Sequence, residues 1–339
     1  MAHIGSSAGM IGLPRVYGAI IHIMVDSPST SLAALPVPDC RELEEFCAPF
    51  ADRLEILVHS LRRRGIPHEI LRIGEAKHII LPVPNAGKMD REYYRVTLIA
   101  HYDRVEGTPG ANDNAAAVFQ LLAHWEEIRN LGWQHRTQIL FTDKEELTGD
   151  GKATDQGSWM LAECFKRLGA DNILFFVLDM CGIGDTPVWG RSVRKAGLAP
   201  RDDSVSGAFG VMESFLLQFT RGENFAINWM FSDDLGLLLG GYPALQLSLL
   251  PHREAKNLAA EFASEPVENH REEADRAREI MRDKLPPTWR HGHGPNDTPE
   301  TLDAAAFVLM SRILRKLARY RFLLPHHDLK KSTRHSRLR

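Results

Sequence analysis

Three apolar runs in this chain each stop on a residue able to bind a metal or carry a proton. Tyr94–Ala100 runs into His101, Thr137–Thr142 into Asp143, and Asn172–Leu178 into Asp179. The runs are short, rich in Val, Ile, Leu and Phe, and read as strands covered on both faces. Between them, Asn114–Arg129 and Gly157–Leu168 carry helical periodicity. Strands alternating with helices in this way predict a parallel, doubly wound α/β sheet. In such sheets ligands bind beyond the carboxyl ends of the strands. Random polar residues have no preference for that edge, so a site is expected there.

The rest of the chain fills in around this core. Arg41–Arg64 spaces Leu43, Phe46, Phe50, Leu54, Leu57 and Leu61 as one helix, stopped by Gly65. His68–Ile73, His78–Val83 and Val16–Val25 read as further strands. After Asp179 the pattern loosens: Thr186–Ser206 reads as loop, Gly207–Phe219 as a helix, Tyr242–Ser248 as a buried strand. His252–Lys284 reads as a long charged helix, and Pro299–Arg319 as the final one. We expect a single domain over residues 1–324, with less regular segments at about 183–231 and 251–290. A basic tail over 325–339 lacks apolar residues to bury.

Composition excludes several roles. Of 339 residues, 41 are Lys or Arg and 44 Asp or Glu, a net charge of −3 that argues against a nucleic-acid partner. No run approaches the ~20 apolar residues needed to span a membrane. The four cysteines, Cys40, Cys47, Cys164 and Cys181, form no Cys-x-x-Cys pair and read as free thiols. Val16–Val25 lacks the flanks of a signal peptide, so a cytoplasmic location is expected.

Five segments offer ligands for a metal. His101-x-Asp103 pairs an imidazole with a carboxylate that can hold its second nitrogen. Asp113 follows the Gly-rich turn Gly107–Gly110, and could instead cap the next helix. Glu145-Glu146 are adjacent acids whose joint burial is costly without a cation, though both would be tolerated in a solvated turn. Asp179 follows a buried strand, where an acid must be paired, metal-bound or turned out to solvent. His293 lies four residues before Asp297, with His291 as a competitor and Asp297 or Thr298 as a cap for the last helix. Mixed imidazole and carboxylate ligands suit Zn²⁺.

In ligand type and order, these segments resemble the motifs of the co-catalytic di-zinc exopeptidases, metallopeptidase family twenty-eight. That family includes bacterial leucyl-type aminopeptidases and glutamate carboxypeptidase. Gly110–Asn114, Leu178-Asp179-Met180-x-Gly182, His293-x-Pro295-x-Asp297-Thr298 and Ser232-Asp233-Asp234 with Gly241-Tyr242-Pro243 all share in it, over roughly residues 90–310. The resemblance implies a three-layer α/β fold with a mixed, mostly parallel sheet flanked by helices. It implies two zinc ions bridged by Asp113, one also held by His101 and Asp179, the other by Glu146 and His293. Glu145 would be the general base and Asp103 the partner of His101. The implied substrate is a peptide, cleaved at its N-terminal bond. The segments 183–231 and 251–290 have no clear counterpart and are expected to form a pocket rim, a lid or a homo-oligomer contact.

Two other readings stand beside this one. Glutaminyl cyclases resemble the same fold and ligand set but use one functional zinc. They typically carry Ser after the equivalent of Asp113, whereas this chain has Asn114. A non-catalytic receptor or scaffold relative would be expected to have lost ligands.

Overall fold

The parallel core expected from the sequence is present, and it closes into an eight-stranded mixed sheet. The computed structural model describes residues 40–82, 92–131, 137–147, 152–191, 203–227, 232–262 and 284–324, all within one unit, Pro36–Arg339. The expected strand at Val16–Val25, the basic tail at 325–339 and most of the helix expected beyond Phe262 lie outside the described residues. In chain order the elements are α1 (Cys40–Cys47), α2 (Arg53–Arg63), β1 (Glu69–Ile73), β2 (Ala76–Leu81), β3 (Arg95–His101) and α3 (Ala116–Leu131). There follow β4 (Thr137–Thr142), α4 (Gly157–Arg167), β5 (Ile173–Leu178), β6 (Thr186–Gly190), α5 (Asp203–Leu216) and β7 (Ala226–Ile227). The chain then forms α6 (Asp233–Leu239), β8 (Ala244–Leu250), α7 (His252–Phe262) and α8 (Ala304–Arg319).

Strand order across the sheet is β1-β2-β4-β3-β5-β8-β6-β7. The four central strands, β4, β3, β5 and β8, run parallel, while β2 joins β4 and β6 joins β8 antiparallel. The chain leaves β3 for β4 on one side and comes back to β5 on the other. The connection therefore reverses at β3, the position where a doubly wound sheet opens a crevice. His101 is the last residue of β3, and Asp179 follows the last residue of β5. Every residue of β5 and β8 is buried, as strands covered on both faces require.

Three expectations fail on local chemistry. The helix Arg41–Arg64 is two helices, broken at Pro49: proline disfavours helical backbone before it and supplies no N–H. Asp52 restarts the helix by accepting from the Glu55 amide at 3.0 Å, and Phe50, placed on the apolar face by periodicity, is 99% exposed in the break. The loop expected at Thr186–Ser206 begins as β6, a fully buried strand paired with β8. Its five residues, with Pro187 inside and Gly190 at the end, carry almost no strand signal. The last helix starts at Ala304 rather than Pro299. Its cap is Asp303, which accepts from the Ala305 amide at 2.9 Å, so neither Asp297 nor Thr298 is the cap. Cys47 and Cys181 are buried free thiols, and Cys164 is a partly buried one.

Candidate metal centre

The parallel strands bring their carboxyl ends to one edge, and the five expected ligands meet there. His101 ends β3, Glu145 and Glu146 follow β4, and Asp179 follows β5. Asp113 arrives from the turn 111–115 between β3 and α3, and His293 from the loop before α8. The side chains form two sets of three that share Asp113, namely His101, Asp113 and Asp179, and Asp113, Glu146 and His293; His101, Glu145 and Glu146 make a third set without it. Within each set one ligand atom from every residue lies within 4.8 Å of the other two.

Asp113 faces both sets with different oxygens. Its Oδ1 lies 3.2 Å from His101 Nε2, and its Oδ2 lies 3.1 Å from His293 Nε2. Asp179 Oδ1 is 3.6 Å from His101 Nε2, and Glu146 Oε2 is 3.1 Å from His293 Nε2. One carboxylate is thus flanked on each side by an imidazole and a second carboxylate. His291, the competitor of His293, is exposed and falls in neither set. Asp113 is not a helix cap; its side chain is buried between the two histidines.

The backbone around Asp113 is fixed from several directions. Gly110 takes a left-handed φ of 57°, and a Cβ there would stand 2.6 Å from the Asp113 carbonyl oxygen. The Asp297 carboxylate accepts from the Asn112 amide at 2.7 Å and the Asp113 amide at 3.0 Å. Asn112 Oδ1 accepts from the Gly182 amide at 2.7 Å, and Asn114 Nδ2 donates to the Leu178 carbonyl at 2.8 Å. The neighbours of Asp113 therefore grip the β5 end on both sides of Asp179. The Asp113–Asn114 peptide is cis.

Asp103 lies beside His101, and its backbone carbonyl rather than its carboxylate accepts the hydrogen bond from His101 Nδ1, at 3.3 Å. Its Oδ1 is 3.5 Å from His101 Nδ1, turning Nε2 toward Asp113 and Asp179, and its Oδ2 accepts from the Glu146 amide at 3.0 Å. Glu145 stays outside both sets that share Asp113; Gln156 Nε2 donates to its Oε1 at 3.4 Å.

The electrostatics follow from this crowding. Burial opposes charge on His101, but Asp103, Asp113 and Asp179 outweigh it and raise the imidazole pKa well above its ordinary value. Asp113 and Glu146 push His293 up to about 11 against the opposing effect of burial. Burial would raise Asp113, yet His101 and His293 outweigh it and hold that carboxyl below its usual range. Glu145 is raised well above the carboxylate range by burial and then by Glu146, Asp179 and Asp233, against the pull of His101. A cluster of acids that keeps protons on two imidazoles is short of positive charge. His101 Nε2 and Asp179 Oδ1 are both buried without a hydrogen-bond partner, which is costly unless a further group satisfies them. A divalent cation in each set meets both deficits, and imidazole with carboxylate is the donor set of zinc.

The sequence reading missed several residues here. Gln246 donates to Asp179 Oδ2 at 3.2 Å; its one legible signal was a polar side chain inside the apolar run Ala244–Leu250. Asp233 is fully buried at the start of α6, accepts from Thr142 Oγ1, and is pushed up to about 6, chiefly by burial. The Ser232-Asp233-Asp234 segment shares in the family resemblance, but that reading gives Asp233 itself no role.

Comparisons with known proteins agree with this architecture. A sequence model of peptidase family M28 matches residues 83–318. Among solved structures, a leucine aminopeptidase precursor from Bacteroides thetaiotaomicron aligns with a TM-score of 0.53 at 17% identity. The alignment covers 83% of this chain and 94% of that one. Glutaminyl cyclase from the same organism, bound to N-acetylhistamine, aligns with a TM-score of 0.51 at 18% identity, over 83% of this chain and 95% of that one. The LapA aminopeptidase of Legionella pneumophila gives 0.53 at 12% identity, over 83% and 68%. No curated protein matches the chain by sequence. At these identities the solved structures speak to the fold.

Proposed function

Because this chain belongs to peptidase family M28, we propose that it is a zinc-dependent aminopeptidase that hydrolyses the N-terminal bond of a peptide. The observation that carries the reading is the division of labour among the acids. Asp113 presents one oxygen to each of two ligand sets, while Glu145 completes neither of those two and meets His101 and Glu146 in a third. Both aminopeptidases and glutaminyl cyclases are among the structures that share the fold.

In this reading His101, Asp113 and Asp179 hold one Zn²⁺, and Asp113, Glu146 and His293 hold another. Cations bound there supply Lewis acidity, lowering the pKa of a water toward ~7 and polarising a carbonyl. Glu145 takes the proton from the attacking water. Glu145 then returns that proton to the leaving amine. Gln156 holds Glu145 in place through its side-chain amide. Asp103 fixes the orientation of His101, and Asp297 fixes the backbone that carries Asp113.

The second reading, cyclisation of an N-terminal glutamine, is supported by the cyclase structures of the same fold. Asn114 favours hydrolysis, because those enzymes typically carry Ser at that place. A scaffold role is opposed by the presence of all five ligands and Glu145 in one cluster. One experiment separates the three. Purified protein is analysed for metal per chain and assayed on a panel of aminoacyl arylamides and on a glutaminyl peptide. Two zinc ions with arylamide turnover support the aminopeptidase. One zinc with pyroglutamate formation replaces it by the cyclase, and a protein without metal or turnover leaves the scaffold.

A further inference from the structure

Arg53 is buried, yet among the described residues no carboxylate side chain bonds it. Its guanidinium donates to backbone carbonyls instead. Nε bonds Phe46 at 3.2 Å, Nη1 bonds Tyr102 and Asp103, each at 3.2 Å, and Nη2 bonds Pro109 and Gly110, each at 2.7 Å. The Phe46 ring lies against its face, 4.6 Å from the guanidinium carbon. These five carbonyls belong to three segments: the end of α1, the two residues after His101, and the turn that leads to Asp113. One side chain therefore joins the strand end that carries His101 to the loop that carries Asp113.

The loop has a second anchor of opposite charge. Asp297 accepts the amides of Asn112 and Asp113 just where Arg53 takes the carbonyls of Pro109 and Gly110. Within this turn the carbonyls of Pro109 and Gly110 face a cation and the N–H groups of Asn112 and Asp113 face an anion. Gly110 belongs to the same arrangement, since a Cβ there would come within 2.8 Å of Arg53 Nη2. Only a planar fork reaches carbonyls on two sides at once; an ammonium is a point with three donors. Arg104 is different: it bonds Cys47, Ala48 and Pro49 and reaches the loop only through Pro109, at 3.4 Å.

We infer that Arg53 is a positioning residue of the metal centre, setting the spacing between His101 and Asp113 and so the affinity and geometry of the metal set they share. This rests on the metal-centre reading above. The hydrogen bonds of Arg53 all go to backbone carbonyls, and the side chain acts through the backbone it ties down. Outer partners of metal ligands are commonly worth ~10- to 100-fold in metal affinity, and that is the loss expected here.

The test uses the full-length protein, stripped of metal and titrated with Co²⁺, whose visible absorption reports ligand geometry. Arg53→Lys, Arg53→Ala and Arg104→Ala are compared with wild type, together with Met310→Ala, a core truncation in α8. Expected are ~10- to 100-fold weaker Co²⁺ binding and an altered spectrum for both Arg53 variants, and near-normal values for the other two. Arg53 lines an open cleft of about 330 Å³ that also reaches Asp103, so a small cation can enter in its place. Methylguanidinium, below denaturing concentration, should restore Co²⁺ affinity to Arg53→Ala and do nothing for Met310→Ala. Should Arg53→Ala not fold, Arg53→Lys carries the comparison. Wild-type affinity and spectrum in Arg53→Lys, or an equal loss in Met310→Ala at matched melting temperature, would overturn the inference while leaving the metal centre intact. A wild-type protein that takes up no Co²⁺ overturns both.

Discussion

The carboxylate of Asp297 holds the backbone amide of Asp113 at 3.0 Å, across 184 residues of sequence. The same carboxylate takes the Asn112 amide at 2.7 Å, so the two donors use both of its oxygens. This is the physical link between the loop of His293 and the residue that faces both ligand sets. It also explains why the stretch from His293 to Asp297 belongs to the site and not to the helix that follows.

Replacing Asp297 by Asn tests that link. The amide keeps the shape but offers one acceptor and one donor where two N–H groups point. Leaving a buried backbone donor unmet costs about 1–3 kcal/mol. We expect a lower melting temperature and a protein that loses zinc on dialysis at concentrations where wild type retains it. Unchanged zinc content after dialysis would show that Asp113 needs no such support.

Glu145 and Glu146 are neighbours whose substitutions should separate cleanly. Glu146 Oε2 lies 3.1 Å from His293 Nε2 within a ligand set, and Glu145 does not share that set. Glu145→Gln should keep metal content and cut turnover by ~10²- to 10⁴-fold, the usual worth of a positioned base. Glu146→Gln should lose metal and activity together. If Glu145→Gln retained wild-type turnover, the proton would have to move by another group.

Much of this site could be read before any coordinates, and the reason is topological. A buried strand that ends on His101 or Asp179 leaves a polar residue in a dry place, and such placement is visible in a one-dimensional pattern. Contacts between distant segments are not. Arg53 reads as an interior residue of the helix expected over Arg41–Arg64, Asp297 as a possible cap, and Asp233 as part of a Ser-Asp-Asp segment before a short helix. Only the fold turns Arg53 onto the Gly110 turn and Asp297 onto Asp113. The exposed Phe50 shows the converse error: apolar periodicity carried across Pro49 a helix that the proline interrupts.

Metal uptake should be linked to protons. Without metal, Asp113 and Glu146 hold His293 up to about 11, and His101 is likewise raised. Both imidazoles are then protonated at neutral pH, and each cation must displace a proton. Calorimetry in buffers of different ionisation enthalpy should show net proton release. Affinity should rise about tenfold per pH unit for a site that releases one proton. The same shifts fix the pH dependence of the stripped protein. Between the ordinary histidine value of 6.5 and about 11 the folded state holds a proton that the unfolded state does not. Stability from that proton is complete below 6.5 and declines as pH climbs toward 11. Melting temperatures of metal-free protein that rose across this window would contradict the charge arrangement described.

Gly157 offers a test of the strand-end loop itself. It opens α4, and its amide donates to the Lys144 carbonyl at 3.0 Å. A Cβ at this position would lie 1.9 Å from the Asp143 oxygen and 2.8 Å from His78 Cε1, closer than any real contact. The nearest obstructing atom is the Asp143 backbone oxygen, so no rotamer relieves the clash and the Asp143–Glu146 segment must move. Overpacking of this kind costs about 1–3 kcal/mol. Glu146 sits at the far end of that segment and belongs to the His293 set, whereas His101, Asp113 and Asp179 stand on other elements. Gly157→Ala should therefore lose the metal of the His293 set before the other, leaving close to one ion per chain at limiting zinc. Loss of both ions together, at a melting temperature no lower than wild type, would mean that the two sets do not respond separately to their own loops.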